Sequence, residues 1–306
     1  MRIVLSAFGS RGVTRRSVAL AAELRRRGHD VVLFGFPEHA GSAEGAGFVY
    51  VSCATEGLPP LASPADLVLV MGSVRSAADR ALFVAFSPTR LDPLPAEVRP
   101  VLAADEELAP LPPELIEHVR QVPAILPDAR EDLPAEVCDF LSAGDPPVYL
   151  GFGAAPARDP DRLTRDLLGA VRGLGLRAIM ERGLAGIGRE GVRDVLVAEE
   201  LPHAALFPLC AVVVHHGGPG TTALACRAGV PQIVVPDDAE QHYWADRVAA
   251  LGLGEAVRRR HLTAASLHDG LRRALGDEAC RFRAQVMAER LRDRDGVTEA
   301  ADAVLA

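Results

Sequence analysis

The sequence predicts an α/β protein built from two doubly wound parallel-sheet domains, and three observations carry that prediction. Short continuous apolar runs alternate with amphipathic stretches in both halves of the chain, as buried parallel strands alternate with crossover helices. A proline-rich stretch, 87–147, separates the two series. With 306 residues the chain is long enough for each series to bury a core of its own.

Residues 3–8 read as the first strand, followed by a glycine-containing loop and a helix over 17–27 whose apolar face is Ala19, Leu20 and Leu24. Gly28 stops that helix, and 31–34 forms the next strand. The runs 67–71 and 82–86 are two further strands. Pro88, Pro93, Pro95, Pro100, Pro110, Pro112, Pro113, Pro123, Pro127 and Pro134 then exclude a long helix or a central strand, leaving loops, short edge elements and the link between domains. A short helix over 134–142 leads into the second series. That series has strands at 148–152, 177–180, 194–197, 211–214 and 232–235, with helices at 159–173, 220–228, 240–251, 263–275, 277–292 and 298–305. The domains expected are 1–125 and 148–292, joined by a linker at 126–147, with 293–306 as a C-terminal helix.

Thirty-three basic residues, all arginine, against 41 acidic ones give a net charge of −8, which argues against a nucleic-acid partner. The five cysteines, Cys53, Cys138, Cys210, Cys226 and Cys280, are scattered without metal-ligand spacing and read as small buried hydrophobes in a reducing compartment. No apolar run reaches membrane-spanning length, and the chain enters a strand directly after Arg2. A soluble cytoplasmic protein is expected.

The most informative stretch is 215–222, His-His-Gly-Gly-Pro-Gly-Thr-Thr. It follows an apolar strand, and its glycines let the backbone turn tightly and approach a ligand closely. Pro219 suits the first turn of a helix, whose free N–H groups and dipole attract phosphate. Thr221 and Thr222 add hydroxyl donors, so the stretch reads as a diphosphate site.

Together with Ala228-Gly229-Val230-Pro231-Gln232-Ile233-Val234-Val235-Pro236, Ala239-Glu240-Gln241, Val148-Tyr149-Leu150-Gly151-Phe152-Gly153 and the N-terminal Gly9-Ser10-Arg11-Gly12, this stretch resembles the nucleotide-sugar glycosyltransferases of the GT-B fold. The branch is the one in glycosyltransferase family 1 that decorates glycopeptides, macrolides and sterols. The resemblance is strong from about residue 99 onward and poor between about 50 and 98.

The resemblance implies two Rossmann-like domains facing an interdomain cleft, with the C-terminal helix packing back on the first domain. It implies an inverting transfer of a sugar from a UDP- or dTDP-sugar to a natural-product-type or carrier-bound acceptor, as in antibiotic biosynthesis. The sugar nucleotide is then a co-substrate, and neither a cofactor nor a metal is implied. His215 matches the family histidine that touches the donor diphosphate, whereas His216 reads as structural. Gly217, Gly218, Gly220, Thr221 and Thr222 would cradle the phosphates, and Glu240 and Gln241 would hold hydroxyls of the transferred sugar. Arg182, Gly183, Leu201, Pro202 and His203 align with the base and ribose pocket. Leu184 stands where relatives often carry a stacking aromatic residue, and Ala154 replaces a common serine.

The acceptor-side loop Ser10-Arg11-Gly12-Val13 departs from the family pattern, because Val13 stands where relatives carry the aspartate that acts as general base. Such a base contributes about two to four orders of magnitude in rate. His39 is one candidate for a base from elsewhere in the first domain. Arg15 and Arg16 either hold an acidic acceptor or are solvated charges at a helix start. Family members are also longer, with the first domain the larger half, so an abbreviated first domain with an open cleft is expected. These departures leave a second reading, a catalytically degenerate homologue acting as an auxiliary or binding partner. A sugar-nucleotide epimerase is disfavoured by the lack of acidic residues in the first loop. The oligomeric state stays open.

Overall fold

The computed structural model describes residues 1–53, 65–71, 81–91, 100–126, 131–153, 157–183, 185–188, 191 and 193–306. The chain divides into two units, Met1–Pro127 with Arg294–Ala306, and Asp128–Asp293.

The first unit runs β1 (Arg2–Ser6), α1 (Arg11–Arg26), β2 (Asp30–Gly35), α2 (Ala40–Gly45), β3 (Val49–Ser52), β4 (Leu67–Met71), β5 (Ala81–Ala85), β6 (Val101–Ala103) and β7 (Arg120–Val122). Its seven strands are hydrogen-bonded in the order β3-β2-β1-β4-β5-β6-β7 and are all parallel. Because side chains alternate along a strand, Ile3 and Leu5 join the core under α1, whereas Val4 joins Phe8 and Val68 on the opposite face.

Helix α1 begins at Arg11, six residues before the expected start at 17. Its first turn carries no acidic residue to offset the dipole. The turn is held instead by side chains returning to the backbone. The Arg16 Nε donates to the Gly12 carbonyl at 2.9 Å, and the Ser17 hydroxyl donates to the Val13 carbonyl at 2.9 Å. Arg16 also lays its guanidinium 3.8 Å from the centre of the Phe86 ring and is only 6% exposed. The expectation of a solvated helix-start charge therefore does not hold for Arg16, because the aromatic ring and the preceding turn enclose it.

The second unit runs α3 (Ala135–Ser142), β8 (Val148–Gly151), α4 (Pro160–Gly173), β9 (Ala178–Glu181), β10 (Val195–Ala198), α5 (His203–Leu206), β11 (Val212–His215), α6 (Pro219–Ala228), β12 (Gln232–Val234), α7 (Ala239–Ala250), β13 (Gly254–Ala256), α8 (Ala264–Gly276) and α9 (Glu278–Leu291). Side chains cap several helix starts, Asp159 accepting from the Arg162 amide and Asp238 from the Gln241 amide. The six strands are all parallel in the order β10-β9-β8-β11-β12-β13. Counted from its own first strand, this repeats the order of the first six strands in the other sheet. Each sheet thus reverses its winding once, between β1 and β4 and between β8 and β11. Such a reversal opens a crevice beyond the carboxyl ends of the strands, where open α/β sheets bind ligands.

The last helix, α10 (Gly296–Leu305), belongs to the first unit. Ala300, Ala301 and Val304 enter the core beside Leu20 and Leu24 of α1. At the rim, Arg27 donates to Asp302 Oδ1 at 2.5 Å and to the Thr298 carbonyl at 3.1 Å. Burial rather than the ion pair anchors this helix. Ala301→Asp, which buries an unpaired carboxylate, should cost about 3 kcal/mol or more in urea unfolding, whereas Arg27→Ala should cost under about 1 kcal/mol.

Candidate functional site: the glycine turn of the second unit

The crevice of the second sheet is bounded by Phe152 and Gly153 after β8 and by His216, Gly217 and Gly218 after β11. Gly151 and His215 are register partners across the two strands.

Strand β11 extends to His215, one residue beyond the predicted 211–214. That residue decides the chemistry. His215 is 0% exposed, and both of its ring nitrogens are engaged inside the fold. The Gly217 amide donates to Nδ1 at 3.1 Å, so the ring proton resides on Nε2 and is donated to Gln232 Oε1 at 2.9 Å. The Gln232 Nε2 in turn donates to the Cys226 sulfur at 3.2 Å. Burial pushes the His215 imidazole down to about 3, which keeps it neutral at working pH. The expected direct phosphate contact by His215 is therefore corrected, since it has no ring nitrogen left to offer a ligand.

His216, read from the sequence as structural, is the histidine that the turn presents. Its ring lies between two glycines, where a Cβ on Gly153 would come within 2.6 Å of Cε1 and one on Gly218 within 2.5 Å of Nε2. Its Nδ1 is buried and has no hydrogen-bond partner among the described residues. Burial, reinforced by His203, pushes this imidazole down to about 4.

Gly217 has φ +93°, and a Cβ there would lie 2.8 Å from Val234 Cγ1 and 3.0 Å from the Gln241 carbonyl oxygen. Only glycine lets the turn pass so close to the start of α7. The Gly217 amide is spent on His215, which removes it from the expected phosphate cradle. Helix α6 starts with Pro219, which has no N–H, so Gly220 and Thr221 supply the amides left over by helix geometry. Thr222 is buried and turns inward, its amide and its hydroxyl both donating to the Gly218 carbonyl at 2.9 Å. Thr221, half-buried on the first turn, keeps its hydroxyl outside such a bond.

The close approach at Gly217 brings Gln241 beside the turn. Gln241 is tied into the helix cap, its Oε1 accepting from the Asp237 amide at 2.8 Å and its Nε2 donating to Asp238 at 3.0 Å. Glu240 is half-buried in the first turn of α7. Among the residues aligned with a base and ribose pocket, Arg182 pairs with Glu199 at 3.1 Å. Leu201, 1% exposed, is a core residue. His203 stacks on Phe207 at 4.7 Å, and Glu181 accepts from its Nε2 and from the Tyr149 hydroxyl, each at 2.5 Å. Leu184 and Ala154 lie outside the described residues.

In the first unit, Ser10 occupies the cap position of α1 and Arg11, Gly12 and Val13 form its first turn. Val13 packs on the core and against Gly9. His39 reaches this loop, its Nε2 donating to the Gly9 carbonyl at 3.1 Å. Sequence reasoning missed Gln232, Tyr149, Glu181 and Asp238, whose side chains hold His215, His203 and Gln241. A glutamine inside the apolar run 230–236 was the available signal, since a buried amide demands partners. Cys210, Cys226 and Cys280 are buried as expected, but Cys138 is exposed. Among the described residues no cluster of three or more His, Cys, Asp or Glu could hold a metal, and no helix is long and apolar enough to cross a membrane.

Residues 182–306 match the family of the erythromycin biosynthesis protein CIII-like C-terminal domain. The chain is 44% identical over 208 residues to glycosyltransferase GtfE of Amycolatopsis orientalis, which covers 68% of this chain and 50% of that protein. Among solved structures, spinosyn rhamnosyltransferase SpnG superposes with a TM-score of 0.75 at 16% identity, covering 100% of both chains. Glycosyltransferase VinC in complex with dTDP superposes with a TM-score of 0.67 at 19% identity, covering 100% of this chain and 98% of that one. The chain has the GT-B fold of these solved structures, and its sequence is similar to that of glycosyltransferases. It spans about half the length of the curated relatives it matches.

The neutral His215 makes the stability of the protein depend on pH. Unfolding returns the ring to its ordinary value of about 6.5, so between that pH and about 3 the unfolded state binds the extra proton. Stability then rises with pH through this window, and His215 alone makes the protein about 2 kcal/mol less stable at pH 5 than at pH 8. Urea unfolding at the two values should show this difference, and His215→Gln should reduce it.

Proposed function

We propose that the protein transfers a sugar from a UDP- or dTDP-sugar to a natural-product-type small-molecule or carrier-bound acceptor, with inversion at the anomeric carbon. The observation that carries this reading is the buried, unpartnered Nδ1 of His216 beside the free amides at the start of α6. A neutral imidazole donor, backbone N–H groups and a helix dipole on one crevice form a site for a diphosphate. The dTDP bound to VinC supports a nucleoside diphosphate as the ligand. Glu240, which precedes Gln241 in the first turn of α7, is suited to hold a sugar hydroxyl.

In the reaction, an acceptor oxygen forms a bond to the anomeric carbon as the bond from that carbon to the β-phosphate oxygen breaks. The electron pair of the broken bond stays on the nucleoside diphosphate, and the acceptor proton passes to a base. His39 supplies that base, because its Nε2–H is held by the Gly9 carbonyl and its Nδ1 carries the free lone pair. A second reading, binding of the nucleotide without transfer, is favoured by Val13, whose side chain cannot take a proton.

Calorimetric titration with UDP, dTDP and ADP tests the donor site. Selective binding of UDP or dTDP is expected, and binding of none of them would remove the reading. His216→Ala should weaken that binding about tenfold or more while leaving the unfolding midpoint nearly unchanged. Once an acceptor is in hand, His39→Ala should lower kcat by about 100-fold with little change in donor affinity. Nucleotide binding without turnover on a broad acceptor panel would favour the second reading.

A further inference from the structure

Both histidines of the turn are neutral at working pH, so neither brings a full positive charge to a departing diphosphate. A full positive charge would have to come from elsewhere around the crevice. Arg182 is paired with Glu199, on the β9 and β10 side. Arg259 lies on the other side, opening the 3-10 turn Arg259–His261 just after β13, at the carboxyl edge of the sheet. Its guanidinium sits 5.0 Å from the centre of the Phe152 ring. Phe152 is followed directly by Gly153, the residue against which the His216 ring packs. Consecutive residues at the end of β8 therefore carry the arginine on one and the histidine on the other. The two side chains are within electrostatic reach, the arginine helping to keep His216 neutral.

Arg259 is half-buried, yet its guanidinium makes no hydrogen bond and no ion pair within 4.0 Å among the described residues. Asp237 is the carboxylate whose field it feels. A guanidinium has five N–H donors, and enclosing it against a ring without an acceptor is unfavourable unless a ligand supplies one. Its neighbours differ, since Arg258 and Arg260 are exposed and Arg260 donates to the His261 ring at 3.2 Å. The fork geometry of arginine matches two oxygens of a phosphate at once.

We propose that Arg259 binds the diphosphate of the sugar-nucleotide donor and stabilises the negative charge that gathers on it as the sugar leaves. This rests on the reading of the glycine turn as a diphosphate site. When the bond from the anomeric carbon to the β-phosphate oxygen breaks, its electron pair adds a unit of negative charge to the diphosphate. The acceptor oxygen makes the new bond and releases its proton to the base. Arg259 offsets the added charge and is neither oxidised nor deprotonated.

The experiment is calorimetric titration of the whole protein with three-membered series, UDP, UMP and uridine, then dTDP, dTMP and thymidine. Wild type, Arg259→Gln, Arg259→Lys and Arg260→Gln are compared, each with its thermal midpoint. The expected result is a loss of about tenfold or more in diphosphate affinity for Arg259→Gln, with nucleoside affinity unchanged. Arg259→Lys should recover part of the loss, and Arg260→Gln should match wild type. Should Arg259→Gln fail to fold, Arg259→Lys carries the test through a loss of about threefold or more for the diphosphates alone. Equal diphosphate affinity in wild type and Arg259→Gln would overturn the inference and leave the donor-site reading intact. An equal loss for nucleoside and diphosphate would also overturn it, marking Arg259 as a brace for Phe152. Failure of wild type to bind any diphosphate would remove the reading and the inference together.

Discussion

The buried hydrogen-bond chain from the Gly217 amide through His215 and Gln232 to Cys226 ties together the end of β11, the start of β12 and helix α6. Each member needs the next. Without the ring the Gly217 amide would be an orphan donor in the interior, and without Gln232 the ring proton would be one. The chain sets the direction in which the backbone leaves the sheet. The glycine turn, the exposed amides of α6 and the approach of α7 at Gly217 all follow from that direction.

Two adjacent histidines have opposite fates for a simple geometric reason. Side chains alternate along a strand, so if His215 points into the layer holding Gln232 and Cys226, His216 must leave on the other side. There it meets Gly153 and Gly218, whose missing Cβ atoms make room for its ring. Burial then strips both rings of charge, by different routes to the same state. On the proposed reading of this crevice, neutral rings and amide dipoles face the ligand and Arg259, beside Phe152, adds a full positive charge. The first unit follows the same strand order around its own reversal, and Val13 and the enclosed Arg16 lie in the opening turns of α1.

The long elements were legible because their apolar residues repeat often enough to declare a period. Helices α4, α8 and α9 and strands β1, β4 and β8 sit within a few residues of where the pattern placed them. The three-residue strands β6, β7 and β13 and the short helices α2 and α5 were not, since so few residues carry no periodicity. The early start of α1 was hidden by its arginines, which oppose the dipole and read as loop. Within the site, the glycines and Pro219 of the turn were readable as backbone chemistry. The choice between His215 and His216 hung on a one-residue strand boundary, the feature that local pattern resolves least.

What the sequence determined by itself was the alternation of strands and helices, hence two parallel sheets, and a glycine turn leading into a helix start. These depend on neighbours along the chain, on period, turn chemistry and capping. Only the tertiary structure decided which histidine faces the crevice, which amide is consumed, and that Arg259 shares the end of β8 with Gly153. Each of those depends on a partner from a distant strand. Strand order is a long-range pairing, and hydrogen-bond partners and burial exist only once that pairing is made.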